Sequence, residues 1–270
     1  GRHLDAMRDV YAGLGFTLTP RAQHPFGTGN TVIQLHGCYL ELLAVTRPQD
    51  VVEPDGTHFS FSAFNRDYLD RHEGFSMLVF DTGDAEADLR HWHAAGLATY
   101  PPFRFSRGAT LPDGSETTVG FALAYLSHTD APWLGHFACQ HLSPEYYAQG
   151  QYLRHENTAY AVRDVWVAGD GALGLADHFA VVTGSEPVSD DTGSVVFAGA
   201  DGSLVLSTAE AFRAAFGVEA PNPQDGPHLA GYTVRCASLV PFAGKGLARV
   251  GDRLVLPQER AFGVAVGFSA

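Results

Sequence analysis

One pattern recurs four times along this chain: a helix-like stretch, a glycine, a strand-like run, a turn-rich middle and a closing apolar strand. The glycines that end the helix patterns are Gly15, Gly96, Gly184 and Gly251, and the closing runs are residues 39–45, 137–141, 203–207 and 263–268. Recurrences spaced by roughly 65 to 90 residues are too long for a solenoid and suit a small βαβββ module. Modules of that kind pair and curl into cups, and cups hold small molecules. The fold class expected is α+β: four βαβββ modules in two pairs forming cupped mixed sheets.

The first unit starts at its helix. Residues 3–14 place Leu4, Met7, Val10, Tyr11 and Leu14 at helical spacing, and Gly15 is a natural C-terminal stop. Residues 16–18, 31–35 and 38–45 then read as strands. The strand that precedes the helix in later units has no counterpart here, so the chain as given is expected to lack its true N-terminus. Unit two has every part: a strand at 75–80, a helix at 84–95 with acidic residues in its first turn, where the helix dipole favours them, and the turn Leu111-Pro-Asp-Gly-Ser115. Strands at 117–125 and 137–141 complete it. Residues 143–157 show no clear period and are read as a linker, dividing the chain into pairs 1–148 and 149–270. Unit three comprises a strand at 160–167, a helix at 172–182 and a hairpin at 194–207. Residues 209–224 read as a connection. Unit four is a strand at 231–237, a helix around 241–250, and strands at 253–257 and 263–268.

Charge narrows the partners. Lys and Arg number 17 against 30 Asp and Glu, a net charge of −13. Phosphate backbones need a basic surface, and anionic membranes repel an acidic one, so neither nucleic acid nor membrane is expected as a partner. No stretch reaches the roughly 18 unbroken apolar residues of a membrane span, and no basic region followed by an apolar segment suggests a signal peptide. Cys38, Cys139 and Cys236 are far apart and lack metal-knuckle spacing. They fit a reduced, cytoplasmic protein better than a disulfide framework.

Four βαβββ modules in two pairs resemble the vicinal oxygen chelate superfamily, which includes glyoxalase I, extradiol dioxygenases and bleomycin-resistance proteins. The resemblance is closest to its glyoxalase-like branch. Leu14-Gly-Phe-Thr-Leu-Thr-Pro-Arg21, His24-Pro-Phe-Gly-Thr-Gly-Asn30 and Tyr39-Leu-Glu-Leu-Leu43 look like that branch's first module. Phe59-Ser-Phe-Ser-Ala-Phe-Asn-Arg66 and Cys139-Gln-His-Leu-Ser-Pro-Glu145 look like the approach to its second module and that module's ending. His155-Glu-Asn157 and Arg260-Ala-Phe-Gly263 are similar to landmarks of its C-terminal half. Such a fold hosts many chemistries.

The resemblance implies a divalent metal (Fe, Mn, Zn, Ni or Mg) held by His, Glu or Gln from first and last strands of paired modules, where open positions hold substrate oxygens. Glu41 matches a last-strand ligand and is either that or a carboxylate at a wet cavity edge, since a carboxylate in so apolar a strand is costly unless exposed or paired. Strand alternation puts Tyr39, Glu41 and Leu43 on one face. Gln140 and His141 are the candidates on the last strand of unit two and point to opposite faces. Each is a metal ligand or a hydrogen-bonding group near the cavity. His24 either contacts substrate or shapes a turn. Asn65 and Arg66, with Phe59, Phe61, Phe64 and Tyr68, either grip a ligand or pack modules together. Glu41 and His141 are the catalytic candidates, as ligand or proton-transfer groups.

The C-terminal last strands offer Ser203, Val205 and Ser207, then Val264, Val266 and Phe268, where a metal site would want carboxylates. Asp164 reads as structural and His155-Glu-Asn157 as a domain-joining network, so the ligand site is expected in the N-terminal half. Phosphate loops, nucleophile elbows and His-Glu-x-x-His are absent from the sequence. Cys139 reads as a small core residue. The function expected is a metal-assisted lyase, isomerase or dioxygenase acting on a small oxygen-rich or aromatic substrate. The alternative is a metal-free protein that sequesters a planar molecule, or a dimer that has lost its site. A homodimer remains open as an assembly state.

Overall fold

The structure is a computed structural model describing residues 1–111, 113–146 and 150–270. Helix α1 (Leu4–Gly13) forms where Leu4, Met7 and Tyr11 recur on one face, and all three are buried. Leu4 and Met7 each contribute roughly 1.5–3 kcal/mol by burial. The chain breaks at Gly15, whose φ of +93° suits the left-handed region. A meander follows: β1 (Ala22–Gln23), β2 (Thr28–Leu35) and β3 (Cys38–Val45), the last two joined at His36-Gly37. Helix α2 (Phe61–Arg71) is capped by Ser60, whose Oγ accepts from the Ala63 amide. Next come β4 (Met77–Asp81), α3 (Ala85–Ala94, capped by Asp84), β5 (Ala98–Thr99), β6 (Phe103–Thr110), β7 (Glu116–Ser127) and β8 (Gly135–His141). The second half runs β9 (Ala159–Ala168), α4 (Ala176–Thr183), β10 (Val188–Ser189), β11 (Val195–Ala198), β12 (Ser203–Ser207), α5 (Ala209–Phe216), β13 (His228–Cys236), β14 (Ala248–Val250), β15 (Arg253–Leu256) and β16 (Ala265–Ser269).

These strands build mixed sheets, as expected for an α+β chain. The second half is one eight-stranded sheet in the order β10-β11-β12-β9-β13-β16-β15-β14. At its centre β9 runs parallel to β12 and antiparallel to β13, which runs parallel to β16. The first half is split into β1-β2-β3 and β4-β8-β7-β5, with β6 also on β7. Among the described residues β3 pairs only with β2, and β4 only with β8.

The two halves share their core. The buried face of α1 packs with Ile33, Leu35, Leu42 and Ala44 on one side and with Tyr232, Val234, Val266 and Phe268 on the other. Helices α3 and α4 fill the space between Ala122, Ala124 and Ala138 of β7 and β8 and Leu204, Leu206 and Leu229 of the large sheet. On the far face of that sheet α5 drives Phe212 and Phe216 against Trp166 and Val205. Helix α5 thus fills part of the C-terminal concavity, beside a cavity of about 510 Å³ lined by Asp164, Trp166, Ala211 and Arg253.

Several expected elements differ in the structure. Residues 16–18 form no strand, and 241–250 form only a 3-10 turn, Val240–Phe242, followed by β14. Pro241 and the left-handed Gly244 and Gly246 explain the loss of that helix. Residues 209–216, read as connection, are helix α5 between the Thr208 cap and a left-handed Gly217. Residues 61–71 are likewise a helix. The expected turn at 111–115 includes Pro112, and the expected linker at 143–157 includes residues 147–149, which lie outside the described residues.

Candidate functional site

Alternation on five strands aims one set of side chains into a single cavity of about 450 Å³ in the N-terminal half. β2 contributes Asn30, Val32 and Gln34, β3 Tyr39 and Glu41, β6 Phe105 and Arg107, β7 Phe121 and Leu123, and β8 Phe137, Cys139 and His141. His24, Phe26 and Phe61 close one wall. The rings pack edge to face: Phe26 lies 5.5 Å from Phe61 and 5.2 Å from Phe105, and Phe105 stacks on Phe121 at 4.9 Å.

Polar groups converge inside this aromatic lining. Glu41 Oε1 accepts from Asn30 Nδ2 at 2.5 Å and lies 4.0 Å from His24 Nε2. Burial raises the Glu41 pKa, against the opposing pull of the Asn30 hydrogen bond and the Arg107 charge. His24 meets Thr28 Oγ1 through Nδ1 at 2.9 Å and stacks on Phe26 at 5.1 Å. Burial, aided by Arg107, pushes its pKa down to about 3, so the imidazole is neutral near pH 7. Arg107 donates through Nη1 to the Gly108 carbonyl at 3.2 Å, with its guanidinium 5.8 Å from the Phe121 ring centroid. Its pKa is lowered by burial, while Glu41 and Tyr39 favour its charge. Arg107 Nε and Asn30 Oδ1 are buried without a hydrogen-bond partner among the described residues. Buried polar atoms of this kind normally find partners, so the cavity offers one donor and one acceptor to an occupant.

His141 also faces the cavity, edge-on to Tyr39 at 6.3 Å and Phe121 at 5.2 Å, with a pKa lowered chiefly by burial. Burial pushes the Cys139 thiol up to about 12, which leaves it protonated and weakly nucleophilic. Glu41, His24 and His141 therefore share one cavity. Gln140 does not. Its Nε2 donates to the Gly83 carbonyl at 2.6 Å and its Oε1 accepts from the Ala85 amide at 3.4 Å, so it holds the start of α3. Asn65 accepts from Ser76 Oγ at 2.9 Å and donates to the Phe61 carbonyl, outside the cup. Arg66 pairs with Glu53 and Asp67 at the surface. Asp164 accepts from Trp166 Nε1 at 2.7 Å and pairs with Arg253 at 3.2 Å, a structural role. His155 joins the halves, accepting at Nδ1 from the Thr17 amide and meeting the Gln34 carbonyl through Nε2.

Asn30 and Arg107 join the site without being among the sequence-derived candidates. The alternation Phe103-Arg-Phe-Ser-Arg107 is a readable signal, since period 2 sends Phe103, Phe105 and Arg107 to one face. Asn30 carries no signal of its own.

The donor set falls short of the divalent metal that the resemblance implies. Among the described residues no three His, Cys, Asp or Glu side chains group so as to hold a metal ion. Glu41 and His24 offer two donors 4.0 Å apart, and Gln140 faces away. This arrangement does not by itself fit a divalent ion.

Comparison with solved structures finds a hypothetical protein from Staphylococcus aureus at a TM-score of 0.69, with 13% identity, covering 100% of this chain and 95% of the other. A xylose isomerase-like TIM barrel/4-hydroxyphenylpyruvate dioxygenase fusion protein aligns at 0.53 and 12% identity, with 96% of this chain matching 38% of that one. The Mn(II)-bound glyoxalase from Novosphingobium aromaticivorans aligns at 0.50 and 12% identity, covering 99% and 78%. Identities this low establish the fold alone. No match was found among curated proteins. Residues 1–182 match the glyoxalase-like domain family, a span that takes in the whole open cup and begins the second half. The chain belongs to the glyoxalase-like domain family, with the fold of the vicinal oxygen chelate superfamily.

Proposed function

We propose that the N-terminal cup is an enzyme site of the lyase or isomerase type, in which Glu41 takes a proton from a small oxygen-rich or aromatic substrate. The observation that carries this reading is Glu41 itself, a carboxylate of raised pKa set among phenylalanines. Raised basicity is what a proton-abstracting carboxylate needs. Arg107, with its unpaired Nε, is placed to balance negative charge that develops on a substrate oxygen. His24 is neutral and hydrogen-bonds without competing for the proton. His141 lines the same cavity.

A second reading, a sequestering cup without chemistry, draws on the aromatic lining and on the lack, among the described residues, of three grouped metal donors. One experiment separates the two. Phenylglyoxal, whose hydrate has a C–H beside the ketone that can be removed and returned to give mandelate, and catechol as a binding probe are titrated against the wild-type chain and Glu41→Gln, following binding of both and conversion of phenylglyoxal. The enzyme reading expects saturable conversion that falls at least ~100-fold in Glu41→Gln, within the range general-base catalysis supplies, while binding survives. Binding without conversion in either protein favours the sequestering cup. Elemental analysis of chelator-free protein, with Glu41→Ala beside it, tests the finer metal question: a bound transition metal lost in the variant would return Glu41 to a ligand role. The three unpaired cysteines suit a cytoplasmic setting. Among the described residues no helix is long and apolar enough to cross a membrane.

A further inference from the structure

The C-terminal half holds a cavity of its own, about 510 Å³, between the large sheet and helix α5. Trp166, Val196 and Val205 wall it, and α5 presents Ala211, Ala214 and Ala215 to it. We propose that Arg235 and Arg253 form an anion clamp in this cavity, which binds a small monocarboxylate with a compact apolar body. The site is separate from the N-terminal cup and does not rest on the chemistry proposed there.

Strand register brings the two arginines together. Arg235 on β13 lies opposite Ser269 on β16, and the register that sets Leu254 opposite Phe268 brings Arg253 of β15 beside Ser269 as well. Their Cα atoms are therefore two strand spacings apart, roughly 10 Å, a gap that two long guanidinium side chains close around one anion. Gly267 gives Arg253 its path, because a Cβ there would stand 3.2 Å from Arg253 Cδ and 3.0 Å from Thr233 Oγ1. Over that glycine Arg253 Nε donates to Thr233 Oγ1 at 3.0 Å and Nη2 to Asp164 Oδ2 at 3.2 Å. The guanidinium carbon lies 5.8 Å from the Trp166 ring centroid and 5.4 Å from that of Phe216, which fixes the group in place.

The donors left over call for an anion. Arg253 Nη1 makes no hydrogen bond among the described residues, its nearest acid being Asp252 Oδ1 at 3.6 Å. Among the described residues neither the Arg235 guanidinium nor the Ser203 hydroxyl, which also lines the cavity, makes a hydrogen bond or ion pair. The acids nearby are already engaged. Asp164 Oδ1 accepts from Trp166 Nε1 at 2.7 Å, and its Oδ2 takes Arg253 and lies 3.3 Å from Arg163 Nε. Asp252 pairs with Arg163. The exposed Asp190 commits Oδ1 to its own turn, accepting from the Thr192 and Ser194 amides. Guanidinium forks match the two oxygens of a carboxylate. The valines and the α5 alanines then give an organic body an apolar wall, which inorganic phosphate would leave unused.

The test titrates benzoate, its neutral counterpart benzamide and inorganic phosphate against the full chain, read by calorimetry and by amide chemical shifts. Benzoate is expected to saturate one site and to shift the amides of residues 203–205, 233–235 and 253–255. Benzamide and phosphate are expected to bind at least ~10-fold more weakly, since each lacks half of what the cavity offers. Arg235→Gln and Ala214→Leu change exposed positions that the fold does not depend on. The first removes a charged donor and the second fills the cavity, and each is expected to weaken benzoate by at least ~10-fold. Benzoate shifts confined to the N-terminal cup around Glu41 and Arg107 would overturn the proposal. So would equal binding of benzamide or phosphate, an unchanged affinity in either variant, or no binding at millimolar benzoate.

Discussion

Glu41 sits in a strand whose other residues are almost all apolar, and its burial there carries a stability cost. Its folded pKa is raised above the ordinary 4.5, so the folded chain binds that proton more tightly than the unfolded chain does. The associated stability is fully present below pH 4.5 and is lost as pH rises through the folded value. Glu41→Gln is therefore expected to stabilise the protein near neutral pH by roughly 1 kcal/mol, in the range seen when functional residues are removed. Thermal unfolding of both proteins between pH 4 and 8 checks this: the gap should widen with pH, and a constant or inverted gap would refute it. At this scale the sequence is partly legible. Glu41, His24 and His141 can be read because alternation and motif spacing are local. Gln140 cannot be placed that way, because which of two opposite strand faces meets the cup depends on the sheet packed behind it. Arg107 enters the site only once residues 103–110 are known to be a strand on β7.

The elements are held to one another by buried polar links that no single segment announces. Asp225, with its side chain fully buried, takes Arg71 Nη2 at 2.6 Å and meets His72 Nε2 at 2.5 Å, while Arg71 lies 4.5 Å over the Trp133 ring. This ties the end of α2 to the turn before β13. Asp225→Ala is expected to cost roughly 2 kcal/mol, the loss of hydrogen bonds to a charged group, since Arg71 is 37% exposed and rehydrates; a loss below ~0.5 kcal/mol in denaturant unfolding would show the link to be idle. A second link joins β8 to α4, where His136 Nε2 meets His178 Nε2 at 2.7 Å and His128 packs edge-on. Burial pushes their pKa values down to about 4 for His136 and about 3 for His178. At His178, repulsion from His136 and His128 adds to the effect of burial. Lowered folded values mean that the stability is present above the unfolded pKa of 6.5 and is lost as pH falls through about 4 and 3. His178→Asn should flatten the acid limb of the stability curve below about pH 6; an unchanged limb would place acid sensitivity elsewhere. The element pattern itself is mostly legible, since periodicity marks α1, α3 and most strands. The helix expected at 241–250 fails to two left-handed glycines, and α5 is hidden because its eight residues carry a short pattern.

Across the whole molecule the halves share a buried core. Helix α1 belongs to the first half by sequence yet buries its face against Val234, Val266 and Phe268 of the second. A shared core predicts cooperative loss, so calorimetry is expected to show a single unfolding transition; two separated transitions would refute it. The contact at Gly263 is equally strict. Its φ is +83°, and a Cβ there would stand 2.1 Å from the Glu73 carbonyl oxygen. Gly263→Ala should therefore cost roughly 3 kcal/mol or more, read as a fall in Tm; a variant as stable as wild type would show that this junction gives way freely.

What the amino-acid sequence determined by itself was the α+β class, the family and the presence of a carboxylate in an apolar strand of the N-terminal half. The class follows from local periodicity, turn residues and spacing, which act within one segment, and the family from a resemblance carried by stretches such as Tyr39-Leu-Glu-Leu-Leu43 and Cys139-Gln-His-Leu-Ser-Pro-Glu145. Only the tertiary structure decided which side chains share a cavity. Helix α5 packs Phe212 and Phe216 into part of the C-terminal concavity, while distant segments bring Glu41, Asn30, Arg107, His24 and the phenylalanines to one N-terminal cavity. Those partners lie far apart along the chain, and burial and charge act through space, so their convergence and their shifted pKa values exist only once the sheets have curled.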